Sequence, residues 1–211
     1  DQARAFLIPG TSEEIELGSL IDNAEDIGVR VVPDWVRFFV FVIDVQNGKG
    51  NPKKKTGLQG GRFVVEAHGF GVGGRHCVFD RFDIRNPTDF DTGEIDTNIR
   101  LQPELFAEHW HQLEELVISK KYTLASDPSR VMEPYKIMCD LGGTGLKGGT
   151  TSTTKNAYEF YRYLRKKGKH HNFLLSKGDH RKSGPYFKKS YPDNSNRSDR
   201  MADGRGEIPI H

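Results

Sequence analysis

The chain has 211 residues, 35% of them hydrophobic, with 31 Lys and Arg against 29 Asp and Glu for a formal net charge of +2. That is enough apolar material for one substantial core, and length alone points to a single domain with irregular ends. No apolar run is long enough to be a signal peptide or a membrane helix, and the chain starts without Met, so we expect a piece of a larger, soluble polypeptide.

The charge is unevenly spread. Residues 1–150 hold 17 Lys and Arg against 23 Asp and Glu, whereas residues 151–211 hold 14 against 6. The basic C-terminal part interleaves Arg165, Lys166, Lys167, Lys169, Lys177, Arg181, Lys182, Lys188 and Lys189 with Tyr186, Phe187 and Tyr191. Such a mixture fits phosphate-backbone contact with some stacking; a charge run taken alone is more often a solvated basic surface. The two cysteines, Cys77 and Cys139, lack the CxxC spacing of a zinc or redox pair and read as buried, reduced thiols of a cytoplasmic protein.

In chain order, residues 1–30 read as a linker or irregular arm, and Pro33 opens the body of the fold. The stretch from Phe38 to Gln46, an unbroken apolar run up to Ile43 that ends by delivering Asp44, predicts a buried strand with a carboxylate near its tip. A Gly- and Lys-rich loop follows, with Lys53, Lys54 and Lys55 at its centre. A second strand is expected over Arg62 to Phe70, with Glu66 in its middle. Gly71-Val72-Gly73-Gly74 then turns into a third strand, Arg75 to Ile84. Three successive strands argue for an antiparallel meander.

Residues Asn86 to Arg100 read as a surface loop. Pro103 sits near the start of a predicted helix running to about Ser119, with Leu105, Phe106, Trp110, Leu113, Leu116 and Val117 at helical spacing. His109 and His111 fall on different faces of it, which argues against a shared metal. A fourth strand over Tyr135 to Cys139 ends in Asp140 and a glycine-rich turn. A second helix is expected from Thr153 to Lys167, with Ala157, Phe160, Tyr161 and Leu164 as its core stripe, then a fifth strand from Asn172 to Ser176, followed by Lys177. Beyond His180, turn-forming and charged residues dominate.

An unpaired buried carboxylate is costly, so Asp44 and Asp140 should lie at exposed strand ends or against a cation. Two strands lying side by side, each releasing an aspartate, can build a site for a hard cation such as Mg²⁺ that keeps several waters. The predicted order β-β-β-α-β-α-β is an α/β plan with a mixed sheet, that of ribonuclease H-like nucleases, in which the first and fourth strands are neighbours and their aspartates meet.

Several stretches in order resemble the nuclease domain of the large terminase subunit of tailed bacteriophages, in its lambda-like branch. They are Ala24-Glu25-Asp26, Val32-Pro33-Asp34, Ile43-Asp44-Val45-Gln46, Arg62-Phe63-Val64-Val65-Glu66 with Gly69-Phe70-Gly71, Cys139-Asp140-Leu141-Gly142-Gly143, and Phe173 to Gly178. They span roughly residues 24–180, and their order and spacing carry the likeness. The resemblance implies a metal-dependent endonuclease domain that cuts concatemeric double-stranded viral DNA by two-metal hydrolysis, with the cations about 3.5–4 Å apart. It implies Mg²⁺ or Mn²⁺ held by Asp44 and Asp140 with Glu66, and a catalytic role for Lys177 at the scissile phosphate. From their charge, Lys53, Lys54, Lys55, Lys177, Arg181 and Lys182 are the candidate DNA contacts; the loop of Lys53 to Lys55 is longer than the short first hairpin of this branch and reads equally as a solubilising tip.

On the same resemblance, residues 1–30 would lead in from an ATPase domain of the same polypeptide, since no GxxxxGK[ST] phosphate loop occurs here. Residues 31–211 would form the nuclease domain, C-terminally incomplete, because the family draws a third carboxylate from a C-terminal helix. Asp179, Asp199 and Asp203 stand in turn-like sequence and are not assigned that role. Implied partners are the small terminase subunit and the portal protein, in the host cytoplasm with no membrane attachment. Two other readings stay open: another ribonuclease H-like nuclease of the resolvase or recombinase type, and a non-catalytic DNA-binding or motor-docking module.

Overall fold

A computed structural model describes residues 28, 30–48, 60–89, 91–141 and 152–178. Within them the chain forms β1 (Val31–Val32), β2 (Val36–Gln46), β3 (Arg62–Gly71), β4 (His76–Ile84), β5 (Tyr122–Leu124), β6 (Val131–Met132), β7 (Lys136–Asp140), a helix α1 (Thr153–Lys166) and β8 (Phe173–Ser176). Five strands make a mixed sheet in the order β4-β3-β2-β7-β8, and β1, β5 and β6 make a small second sheet. The antiparallel meander β2-β3-β4 is as the turn glycines predict. On its other side β2 pairs in parallel with β7, and β7 in parallel with β8.

Strand alternation divides the large sheet into two faces. Phe39, Phe41, Ile43 and Val45 of β2 are buried, as are their register partners Ala67, Val65 and Phe63 on β3 and Ile137 and Cys139 on β7. α1 and the segment around Trp110 cover this face. The Trp110 ring lies edge-on to Phe63 at 5.2 Å and tilted against Phe160 at 6.1 Å, and Phe160 meets Phe173 of β8 at 5.4 Å. Burying each of these large side chains contributes roughly 1.5–3 kcal/mol. Two polar groups carried inside share one acceptor: the Trp110 indole and the Asn156 amide both donate to the Pro103 carbonyl, at 2.9 and 2.8 Å.

α1 forms as its sequence directs. Ser152 caps it by accepting from the Lys155 amide at 3.1 Å, Arg165 and Lys166 occupy its last turn, and Gly168 at φ +71 ends it. There the amides of Gly168 and Lys169 donate back to the carbonyls of Arg165 and Leu164, the paired closure of a Schellman motif.

The expected helix from Pro103 to Ser119 is not one helix. A 3-10 turn at Ala107–His111 leads into a π turn at Glu114–Ile118. Phe106 is extended at φ −122 and ψ 117, and the Gln102 amide donates to Nδ1 of His109 at 2.8 Å, which ties the start of the segment into a compact turn. The π turn, closed by the Ser119 amide on the Glu114 carbonyl at 2.9 Å, brings Glu114 inward. Its carboxylate there meets the Tyr163 hydroxyl at 2.5 Å and the ammonium groups of Lys167 and Lys169 at 2.8 and 2.7 Å. Hydrophobic spacing does not register these polar ties, and it also leaves out the short strands β1, β5 and β6.

Candidate metal centre

The opposite face of the sheet carries the polar side chains. Ile43 and Cys139 are register partners across the parallel β2–β7 pair, and both point into the core. The next residues, Asp44 and Asp140, therefore project to the open face from neighbouring strands at the same level. Asp44 is exposed and Asp140 half-buried. Burial first, and then the charges of Asp140 and Asp44, push the Cys139 thiol well above its ordinary pKa, a second sign that both carboxylates stand close to it.

Asp44 is held by one oxygen. Its Oδ2 accepts from Nε2 of Gln46 at 2.8 Å, and its Oδ1 has no hydrogen-bond partner among the described residues. Gln46 Oε1 in turn accepts from Nε of Arg62 at 2.7 Å, and Arg62 Nη1 reaches Oδ2 of Asp83 at 2.8 Å. Asp83 also accepts from Arg85, at 2.6 Å from Nη2. Burial would raise the Asp83 pKa, but the Arg85 hydrogen bond and the charges of Arg62, Arg85 and Arg81 outweigh it and hold the carboxyl below its usual range.

Glu66 lies on the same face. Its register partner is Val42, two residues along β2 from Asp44, so it is a diagonal neighbour at about 7–8 Å. It pairs with Arg81 Nε at 3.0 Å and stands 3.3 Å from Nε2 of His68. Lys177 is exposed one residue past Ser176, the register partner of Asp140, and thus at the same end of the parallel strands. Ser176 Oγ donates to the Cys139 carbonyl at 3.3 Å.

Asp44, exposed, and Asp140, half-buried, are hard oxygen donors, a donor set that suits Mg²⁺ or Mn²⁺. No group of three His, Cys, Asp or Glu among the described residues is placed to hold a metal ion. Lys53, Lys54, Lys55, Arg181, Lys182, Asp179, Asp199 and Asp203 lie outside the described residues. His109 is engaged with the Gln102 amide and His111 stacks on Tyr163 at 4.1 Å, so each serves packing. Gln46, Arg62 and Asp83 were given no role on sequence alone. A signal exists, because Asp-x-Gln on a strand puts both side chains on one face.

A sheet carrying two aspartates on adjacent parallel strands is consistent with an α/β nuclease fold. The model of the terminase large subunit gpA endonuclease domain matches residues 5–211, and the chain belongs to that family. Searches of curated proteins and of solved structures gave no match. Among the described residues no helix is long and apolar enough to cross a membrane.

Proposed function

We propose that this domain is a divalent-metal-dependent DNA endonuclease with a ribonuclease H-like core, cutting concatemeric double-stranded viral DNA during packaging in the host cytoplasm. The observation that carries the reading is the β2–β7 register, which sets Asp44 and Asp140 side by side on the open face of the sheet. Family membership supports DNA as substrate and a packaging setting.

In this reading Asp44 and Asp140 hold Mg²⁺ or Mn²⁺, with Glu66 a further carboxylate once its contacts with Arg81 and His68 are exchanged. A divalent metal held there would supply an activated water and stabilisation of the leaving oxygen of the phosphodiester. Lys177, at the end of the same strands, sits where an ammonium can meet a non-bridging phosphate oxygen as its charge grows. Lys53, Lys54, Lys55, Arg181 and Lys182 contact the DNA backbone, contributing affinity that falls with salt. The ATPase of the same polypeptide, the small terminase subunit and the portal protein are the partners.

The test is incubation with supercoiled plasmid in Mg²⁺, Mn²⁺ or EDTA, beside Asp44→Asn and Asp140→Asn. Cation-dependent nicking or linearisation that falls at least about a hundredfold in either variant is expected. Equal cutting by the variants would remove these aspartates from the chemistry, and metal-independent binding without cutting would favour a DNA-docking module. Preference for branched over linear duplex would point instead to a resolvase-type nuclease.

A further inference from the structure

Gln46 sits two residues beyond Asp44 on β2 and opposite Arg62 on β3, and it links the two. Which end of its amide faces which neighbour follows from the chemistry. A guanidinium can only donate, so the group 2.7 Å from Arg62 Nε must be the amide oxygen. The amide nitrogen is then directed at Asp44, 2.8 Å from Oδ2. Arg62 is itself fixed by Oδ2 of Asp83, the oxygen that Arg85 also binds. The result is a directional chain from Arg62 through Gln46 to Asp44 across two paired strands.

We propose that Gln46 and Arg62 are positioning residues for the metal-binding carboxylate: the Gln46 amide occupies Oδ2 of Asp44 and orients Oδ1 toward the cation. This rests on the endonuclease reading above. Outer-shell hydrogen bonds of this kind orient ligating carboxylates, and their loss typically costs about 10–100-fold in metal affinity or activity. Among the described residues the side-chain partners of Arg62 are Gln46 and Asp83, so its route to Asp44 runs through Gln46.

The variants are Gln46→Met, which keeps length but cannot donate, Arg62→Lys, which keeps charge but loses the planar fork, and the pair together. Two readouts are taken on each: Mn²⁺ binding by calorimetry without DNA, and the Mg²⁺ dependence of plasmid cleavage split into maximal rate and half-saturating concentration. Thermal melting confirms folding. We expect Gln46→Met to weaken Mn²⁺ binding and raise the half-saturating Mg²⁺ about tenfold or more, Arg62→Lys to do so less, and the double variant to match Gln46→Met alone.

Unchanged metal dependence in folded Gln46→Met would overturn the proposal, as would additive effects of the two substitutions. Should Gln46→Met not fold, the same readouts on Arg62→Lys decide, with an unchanged metal dependence again counting against the relay. An inactive wild-type domain that binds no Mn²⁺, or a fully active Asp44→Asn, would instead sink the endonuclease reading itself.

Discussion

Glu114 is a carboxylate with a side chain only 4% exposed, and three donors offset its desolvation. Burial alone would raise its pKa, but hydrogen bonds from Lys167, Lys169 and Tyr163 prevail and bring it down to about 2 from an ordinary 4.5. A depressed folded-state pKa contributes stability that is complete above about pH 4.5 and lost as the pH falls through about 2, an effect of about 3 kcal/mol. Glu114→Gln is therefore expected to lower unfolding stability at pH 7 by about that amount. The gap to wild type should narrow steadily in urea titrations run from pH 5 down to pH 2. Residue-level chemistry of this kind was hard to read from sequence. Asp44 and Asp140 stand out because apolar runs end in them, whereas Glu114 sits in an amphipathic stretch where an acid reads as solvent-facing. Gln46 was hidden for another reason: its importance depends on Arg62, a residue that only strand register brings opposite it.

At the scale of elements, two substitutions isolate single forces. Gly168 closes α1 at φ +71 with open space around a would-be Cβ, so Gly168→Ala should cost about 1–2 kcal/mol from backbone strain alone, read as a lowered denaturation midpoint. Phe160 packs between Trp110 and Phe173, and Phe160→Ala should cost about 3–5 kcal/mol by the same measurement. Gly61 makes a different demand. A Cβ there would stand 2.5 Å from the Gln46 carbonyl oxygen, so Gly61→Ala forces apart the ends of β2 and β3 beside Asp44, and cleavage should drop along with stability. The five strands of the large sheet and α1 were legible within a residue or two, since continuous apolar runs, glycine turns and the stripe of Ala157, Phe160, Tyr161 and Leu164 mark them. The 103–119 segment was not, because Gln102, His109 and Glu114 shape it by hydrogen bonds that hydrophobic periodicity cannot register.

Across the whole molecule, the core face and the open face of the sheet divide the work: Cys139 lies beneath the two aspartates that its strand and β2 expose. A thiol so buried, with its pKa raised, reacts only when the strands part. Native-state labelling followed by mass spectrometry should modify half-buried Cys77 early and Cys139 at the rate of global unfolding, and faster Cys139 labelling would mean that β7 opens locally.

The parallel pairing of β2 with β7 has a consequence in time. Asp44 is synthesised early and Asp140 late, with the meander's remaining strands, the 3-10 and π turns and strands β5 and β6 between them. Hairpin strands β2, β3 and β4 can pair as they emerge, but contacts so distant along the chain form slowly and last. On the endonuclease reading proposed above, a nascent or truncated polypeptide thus has one half of the carboxylate pair and no means to cut. On that reading the chemistry is withheld from the chain until its topology is complete.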